Sequence, residues 1–131
     1  MAERINLEMP ATLSALSTLR MVMGGLGVRL DFSLDDLEDL HLATGELLRT
    51  ALADDGPERL TVEVEVDDGT LRFAAGAFRS ARLRSEVTVH DDACLVDLCV
   101  LLRRTVDEVT LEDVGDEYRV VLVKHRSEGG A

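Results

Sequence analysis

The chain has 131 residues, 46% of them hydrophobic and 31% charged, with a formal net charge of −12 at pH 7. That length holds a single domain with a real core, and that balance is globular rather than disordered. So acidic a chain is a poor match for nucleic-acid phosphates or anionic membrane surfaces, which are bound through clustered Lys and Arg. No apolar run approaches about 18 residues, and the start, MAERINLEMP, has no signal-peptide core. A cytoplasmic protein without a membrane segment is therefore expected. Cys94 and Cys99 stand five apart, which turns them to different faces of a helix, so buried free thiols are expected rather than a disulfide or a metal clip. His41, His90 and His125 are scattered without ligand spacing, so surface or edge positions are expected and no metal site is.

Arg4 to Glu8 alternates polar and apolar, with Ile5 and Leu7 on one side, which predicts a short first strand. Pro10 suits the first turn of a helix. Leu13, Leu16, Leu19, Met23 and Leu26 then predict an amphipathic helix from Ala11 to about Leu26, broken by Gly24, Gly25 and Gly27. Arg20, flanked by apolar positions on that helix, is a candidate for a partner-binding face. The alternative is a solvated arginine whose stem lies along apolar surface. From Ser33 to Leu52 the run SLDDLEDLHLATGELLRTAL carries the strongest helix signal. Ser33 can cap, Asp36 stands in capping-box position, and Asp35 adds charge at the positive end. Leu37, Leu40, Ala43, Leu47 and Ala51 form one apolar stripe. Gly45 inside this helix costs about 1 kcal/mol against Ala, so it needs a packing or a functional reason.

Asp54-Asp55-Gly56-Pro57 is a stop and turn. Leu60, Val62, Val64 and Val66 alternate with polar residues and predict a strand with one buried face. Asp67-Asp68-Gly69 predicts a hairpin turn, with Leu71 and Phe73 on the partner strand. The pattern dissolves from Gly76 to His90, where Arg79, Arg82 and Arg84 cluster. Asp91 and Asp92 start the next helix, which Cys94, Leu95, Val96, Leu98, Val100, Leu101 and Leu102 make apolar nearly all round, so deep burial is expected. Arg103 and Arg104 close it. Val109 and Leu111 form a strand, Gly115-Asp116 a turn, and Tyr118 to Val123 a last strand. The order β-α-α-β-β-α-β-β predicts an α+β sandwich, a mixed sheet covered on one face by helices. Residues 1–126 form one domain, and 127–131 a flexible tail.

The stretch Leu40-x-Leu42-Ala43-x-x-Glu46-x-x-x-Thr50-Ala51 resembles the N-box helix of the GHKL, or Bergerat-fold, ATPases. Among them it is most similar to the bacterial anti-sigma regulatory factor and serine-protein kinase family. That family shares the element order, so the resemblance covers nearly the whole chain and implies a Bergerat-type sandwich. It also implies that Glu46 occupies the general-base position. Thr50 stands where the family has an Mg²⁺-holding asparagine, and a neutral hydroxyl is a poor stand-in for an amide oxygen. In Ala74-Ala75-Gly76-Ala77-Phe78, Ala74 takes the place of the family's adenine-reading aspartate. Gly76 keeps one nucleotide-box glycine and Phe78 replaces the other. Asp107-Glu108-Val109 matches the end of the family's last helix. Counted back from there, the phosphate-cradling glycines fall on Val96 and Leu98, whose side chains would fill the phosphate space. A glutamate on a helix face is most often simply solvated, and Glu46 has that reading beside it.

With metal ligand, adenine reader and phosphate glycines all substituted, the resemblance implies partner binding without nucleotide turnover. The partners implied are a sigma factor, an anti-anti-sigma (STAS-domain) protein, or both, and a homodimer stays open. No cofactor is expected, with Mg²⁺–ATP entering only if the site is retained. Two alternatives stand beside this: an active serine kinase that phosphorylates an anti-anti-sigma factor, and a pseudo-subunit that tunes an intact kinase paralogue.

Overall fold

Alternating burial along the strands and one buried stripe on each long helix define two layers, seen in a computed structural model that describes residues 2–53, 57–88 and 97–127. In chain order the elements are β1 (Glu3–Pro10), α1 (Ser14–Arg29), α2 (Leu34–Ala53), β2 (Arg59–Asp67), β3 (Thr70–Phe78), α3 (Ala81–Thr88), α4 (Leu98–Thr105), β4 (Glu108–Val114) and β5 (Glu117–His125). The sheet order is β1-β2-β3-β5-β4. The α+β class follows the sequence pattern, but every strand pairing is antiparallel where a mixed sheet was expected. A two-helix connection is the physical reason at β1 and β2. Two antiparallel helices return the chain to the end of the sheet that it left, so β2 runs back along β1.

The hydrophobic pattern sets which face is inside. Leu60, Val62 and Val64 on β2, Leu71, Phe73 and Ala75 on β3, and Val120 and Leu122 on β5 point into one core. Leu19, Met23 and Leu26 from α1 and Leu40, Ala43, Leu47 and Ala51 from α2 close it from the helical side. The β2–β3 hairpin turns on Asp68 and Gly69, both with positive φ (45° and 82°), the geometry that suits the right-handed twist of the strands.

Four expectations are corrected. Pro10 ends β1, paired with Arg59, and α1 begins only at Ser14. β1 is an edge strand, where proline's missing N–H costs no ladder bond. α1 runs through all three glycines to Arg29. Gly27 is there for close approach, since a Cβ would lie 2.2 Å from Leu37 Cδ2 and 3.3 Å from its Cγ. A further helix, α3, occupies residues that carry no clear period, held at its start by Ser80 Oγ accepting from Leu83 N (3.1 Å). α4 begins at Leu98, where Asp97 caps it by accepting from Val100 N at 2.8 Å. It buries only Cys99, Leu102 and Thr105, while Leu98, Val100 and Leu101 are half-buried, so it is amphipathic rather than enclosed. Cys99 is a buried free thiol, as expected. His125 shares a hydrogen bond with Thr70 Oγ1. The expected turn at Asp54-Asp55-Gly56, and Asp91, Asp92, Cys94, Val96 and His90, lie outside the described residues.

Candidate functional site

α2 carries the capping box read from sequence. Asp36 N donates to Ser33 Oγ (3.1 Å) and Ser33 N donates to Asp36 Oδ2 (3.2 Å). The same carboxylate accepts from Ser127, through N at 3.1 Å and through the hydroxyl. Ser127 is thus tied down, although a loose tail was expected from it onward; residues 128–131 are not described. Lys124 Nζ lies 3.8 Å from Asp36 and 3.5 Å from Asp39, and donates to Thr105 O at 2.9 Å. Burial alone would push the Asp36 carboxyl up, but the Ser127 and Ser33 hydrogen bonds together hold it below the usual carboxylate range.

Among the described residues, those that the sequence assigned to a nucleotide site do not share one surface. Glu46 and Thr50 are half-buried and one turn apart on α2. Glu46 accepts from Arg49 at 2.9 Å, so its carboxylate is turned along α2 to a neighbour on the same helix. On β3 the inward positions are Leu71, Phe73 and Ala75, so Ala74 and Gly76 face the other side of the sheet, away from α2. A Cβ on Gly76 would meet Arg119 Cγ and Tyr118 O at 3.0 Å, so this glycine serves the approach of β5.

That outer face is roofed by paired charges. Arg4 bonds Glu65 (2.5 Å), Arg72 bonds Glu112 (2.6 Å), and Arg119 bonds Glu112. The arginine bonds hold the Glu65 and Glu112 carboxyls below their ordinary range. Beneath them Ala74 is buried. A register irregularity between Ala75 and Phe78 turns Phe78 back into the core, its ring centroid 6.0 Å from that of Tyr118. Tyr118 in turn donates to Ser80 O at 2.5 Å. Leu98 is the first residue of α4, which packs against α2.

A different place is open. Between α1 and α2 lies a groove of about 410 Å³, floored by Leu16, Leu19 and Leu48 and bordered by Arg20, Glu38, Leu42 and Arg49. The two helices run antiparallel, Gly27 against Leu37 and Gly24 against His41. Arg20, picked from the sequence, is exposed on this groove. Sequence reasoning missed His41, which is half-buried here rather than at a surface or an edge. Its Nδ1 is the buried side-chain nitrogen or oxygen without a hydrogen-bond partner among the described residues. Burial, and secondarily Arg20, push the imidazole's pKa down. Gly45 lines the same groove; a Cβ there would meet only the end of Arg49, at 3.2 Å. The mid-helix glycine was the signal that could have pointed here. Among the described residues no group of His, Cys, Asp and Glu could hold a metal ion, and no helix is long and apolar enough to cross a membrane.

Fold and site together define a small α+β domain, with helices on one face of an antiparallel sheet and an open groove between its two longest helices. A solved structure with this fold is that of the RsbU and RsbW domains of Rv1364c from Mycobacterium tuberculosis, at a TM-score of 0.65 and 16% identity. The match covers 94% of this chain and 32% of that one, so the chain spans about a third of the length of its neighbour. No protein-family model and no curated protein matches the chain.

Proposed function

We propose that the protein is a regulatory binding domain of the anti-sigma type, which engages a sigma factor, an anti-anti-sigma (STAS-domain) protein, or both, without nucleotide turnover. The Bergerat-type resemblance of the α2 motif and the fold shared with a structure that contains an RsbW domain support the regulatory side of this reading. One observation carries the loss of nucleotide chemistry. The β3 run Thr70–Phe78 has no carboxylate on either face, so neither Ala74 nor its inward neighbours Phe73 and Ala75 can accept the adenine amino proton, whatever the register. Thr50 on α2 adds a weak metal ligand, and the Phe78 ring in the core adds bulk where the family has glycine. Arg20, exposed on α1 and without an ion pair among the described residues, is the partner-facing side chain in this reading.

Calorimetric titration with Mg²⁺–ATP and with ADP tests the nucleotide half. Each lost charge-assisted bond to a phosphate is worth about 1.5–3 kcal/mol, so losing several takes a micromolar site beyond about a millimolar. The expected outcome is no saturable binding below about a millimolar and no phosphate transfer to an anti-anti-sigma serine. Saturable binding in that range, abolished by Glu46→Ala, would restore the kinase reading instead. Capture experiments with purified sigma and STAS-domain proteins, in ATP, ADP and neither, test the partner half; binding is expected to be indifferent to nucleotide. Capture of an intact kinase paralogue and of neither of those would favour the pseudo-subunit.

A further inference from the structure

The sheet has two edges, β1 and β4. β1 ends in Pro10, which discourages the addition of another strand. β4 has neither proline nor lysine, and it pairs with β5 through seven consecutive residues without a bulge. A regular edge of that kind invites strand addition unless it is blunted. Its own acids blunt it little. Arg72 and Arg119 hold Glu112, Arg84 holds Asp113 at 2.6 Å, and Glu108 has no ion pair among the described residues. On the helical side Val109 and Leu111 pack against the core yet are only half-buried, so part of each apolar side chain stays open.

Two cavities lie along this edge. One, of about 430 Å³, runs from Val106 to Thr110; the other, of about 300 Å³, is walled by Val87 and Thr88 of α3 and reaches Leu111. They share Arg103, Val109 and Thr110, which makes them two halves of one trough. At about 3.3 Å per strand residue, Val106 to Leu111 spans about 17 Å, room for about six residues of extended chain. Arg103 stands where the halves meet, exposed and without an ion pair among the described residues, although the chain has 26 acids to 14 Lys and Arg. Its Nε donates to Cys99 Sγ at 3.2 Å, which leaves the other guanidinium N–H groups for a different acceptor. The end of α4 favours positive charge at Arg103 and Arg104 alike, but of the two Arg103 lines the trough.

We propose that the β4 edge takes an extended segment of a protein partner as a further strand, antiparallel to β4, with a carboxylate of that segment on Arg103. The proposal is independent of the anti-sigma reading, since it needs only the edge and its trough. Main-chain hydrogen bonds to the free edge supply affinity, and alternate side chains supply specificity. Opposite Leu111 and beside Val87 the segment carries an apolar residue. Opposite Val109 it carries the acid that meets Arg103. On the outer face a base opposite Glu108 completes the match. From the segment's N-terminus the order is therefore apolar, polar, acidic and basic, as in Val-Thr-Glu-Lys. A second copy of β4 is disfavoured, because the antiparallel register that matches Val109 to Leu111 sets Glu108 against Glu112 twice.

The test uses the full chain and short synthetic peptides built on Val-Thr-Glu-Lys, one as written and one with lysine in place of the glutamate. Binding is followed by NMR amide shifts and by hydrogen exchange of the β4 amides. The expected result is saturable binding of the glutamate peptide alone, with exchange slowed at every second β4 amide. N-methylation of the peptide residues that bond β4 should abolish binding, and N-methylation of their neighbours should spare it. Arg103→Glu should weaken the glutamate peptide about tenfold to a hundredfold and accept the lysine peptide instead. Arg103→Gln, which introduces no repelling charge, should weaken it about tenfold and carries the same arm if Arg103→Glu folds poorly. Arg104→Glu makes the same charge change outside the trough and should leave binding within about twofold. Binding indifferent to N-methylation, equal losses in Arg103→Glu and Arg104→Glu, or shifts away from β4 would each overturn the proposal. So would the absence of saturable binding below about a millimolar, or self-association of the free protein through β4.

Discussion

Asp36 joins three parts of the chain through one side chain. It caps α2 with Ser33, accepts from Ser127 at the end of the described chain, and faces Lys124 on β5. Replacing it by alanine removes the cap, strands the Ser127 donors and leaves Lys124 with Asp39 and the Thr105 carbonyl alone. Asp36→Ala should therefore cost about 2–3 kcal/mol in urea unfolding. The sign with pH follows from a folded-state pKa below the ordinary value of 3.8. The stabilisation is fully present above that value, where both states are ionised, and is lost as pH falls through the lower, folded value. Acid unfolding of the parent should be steeper in that window than that of Asp36→Asn. Parallel curves would mean that another carboxylate dominates.

The glycines of α1 separate helix propensity from packing within one element. Nothing lies within 4 Å of a Cβ added at Gly25, so Gly25→Ala should stabilise by about 0.5–1 kcal/mol through helix propensity alone. At Gly27 the same methyl runs into Leu37, and overpacking of about 1–3 kcal/mol outweighs the helical gain. Thermal melts of the two variants should move in opposite directions. A rise for both would mean that Leu37 yields freely and that α1 and α2 are less tightly crossed than their contact implies.

At the scale of the whole molecule, stability resides in the sheet–helix core, and α4 is a smaller part of it than its composition suggests. Val64 is fully buried on the central side of β2, so Val64→Asp places an unpaired charge among apolar groups and should cost several kcal/mol, roughly 4 or more. Leu98 is only half-buried at the first turn of α4, where negative charge also meets the helix's positive end. Leu98→Asp should cost about 1–2 kcal/mol, well below Val64→Asp in the same denaturant series. Equal losses would show that α4 is enclosed after all.

What the sequence by itself determined was local or periodic. The capping box at Ser33 and Asp36, the Asp68-Gly69 turn and the burial alternation of β2 each involve residues within a few positions, whose geometry short-range sterics and hydrogen bonding decide. The α+β class followed from the order of those elements. Tertiary structure alone decided the rest, because the deciding partners are distant in the chain. Gly27 reads as a helix stop until Leu37 packs on it, and Pro10 as a helix start until Arg59 pairs with it. α3 has no legible period because Leu83 and Val87 alone bury it. Ala74 matches a motif position in one dimension, but the two-residue pleat turns it to the far face of the sheet from Glu46. The groove is the clearest case: Gly45 signalled that something was needed there, yet only the antiparallel crossing of α1 on α2 brought Arg20 and His41 beside it.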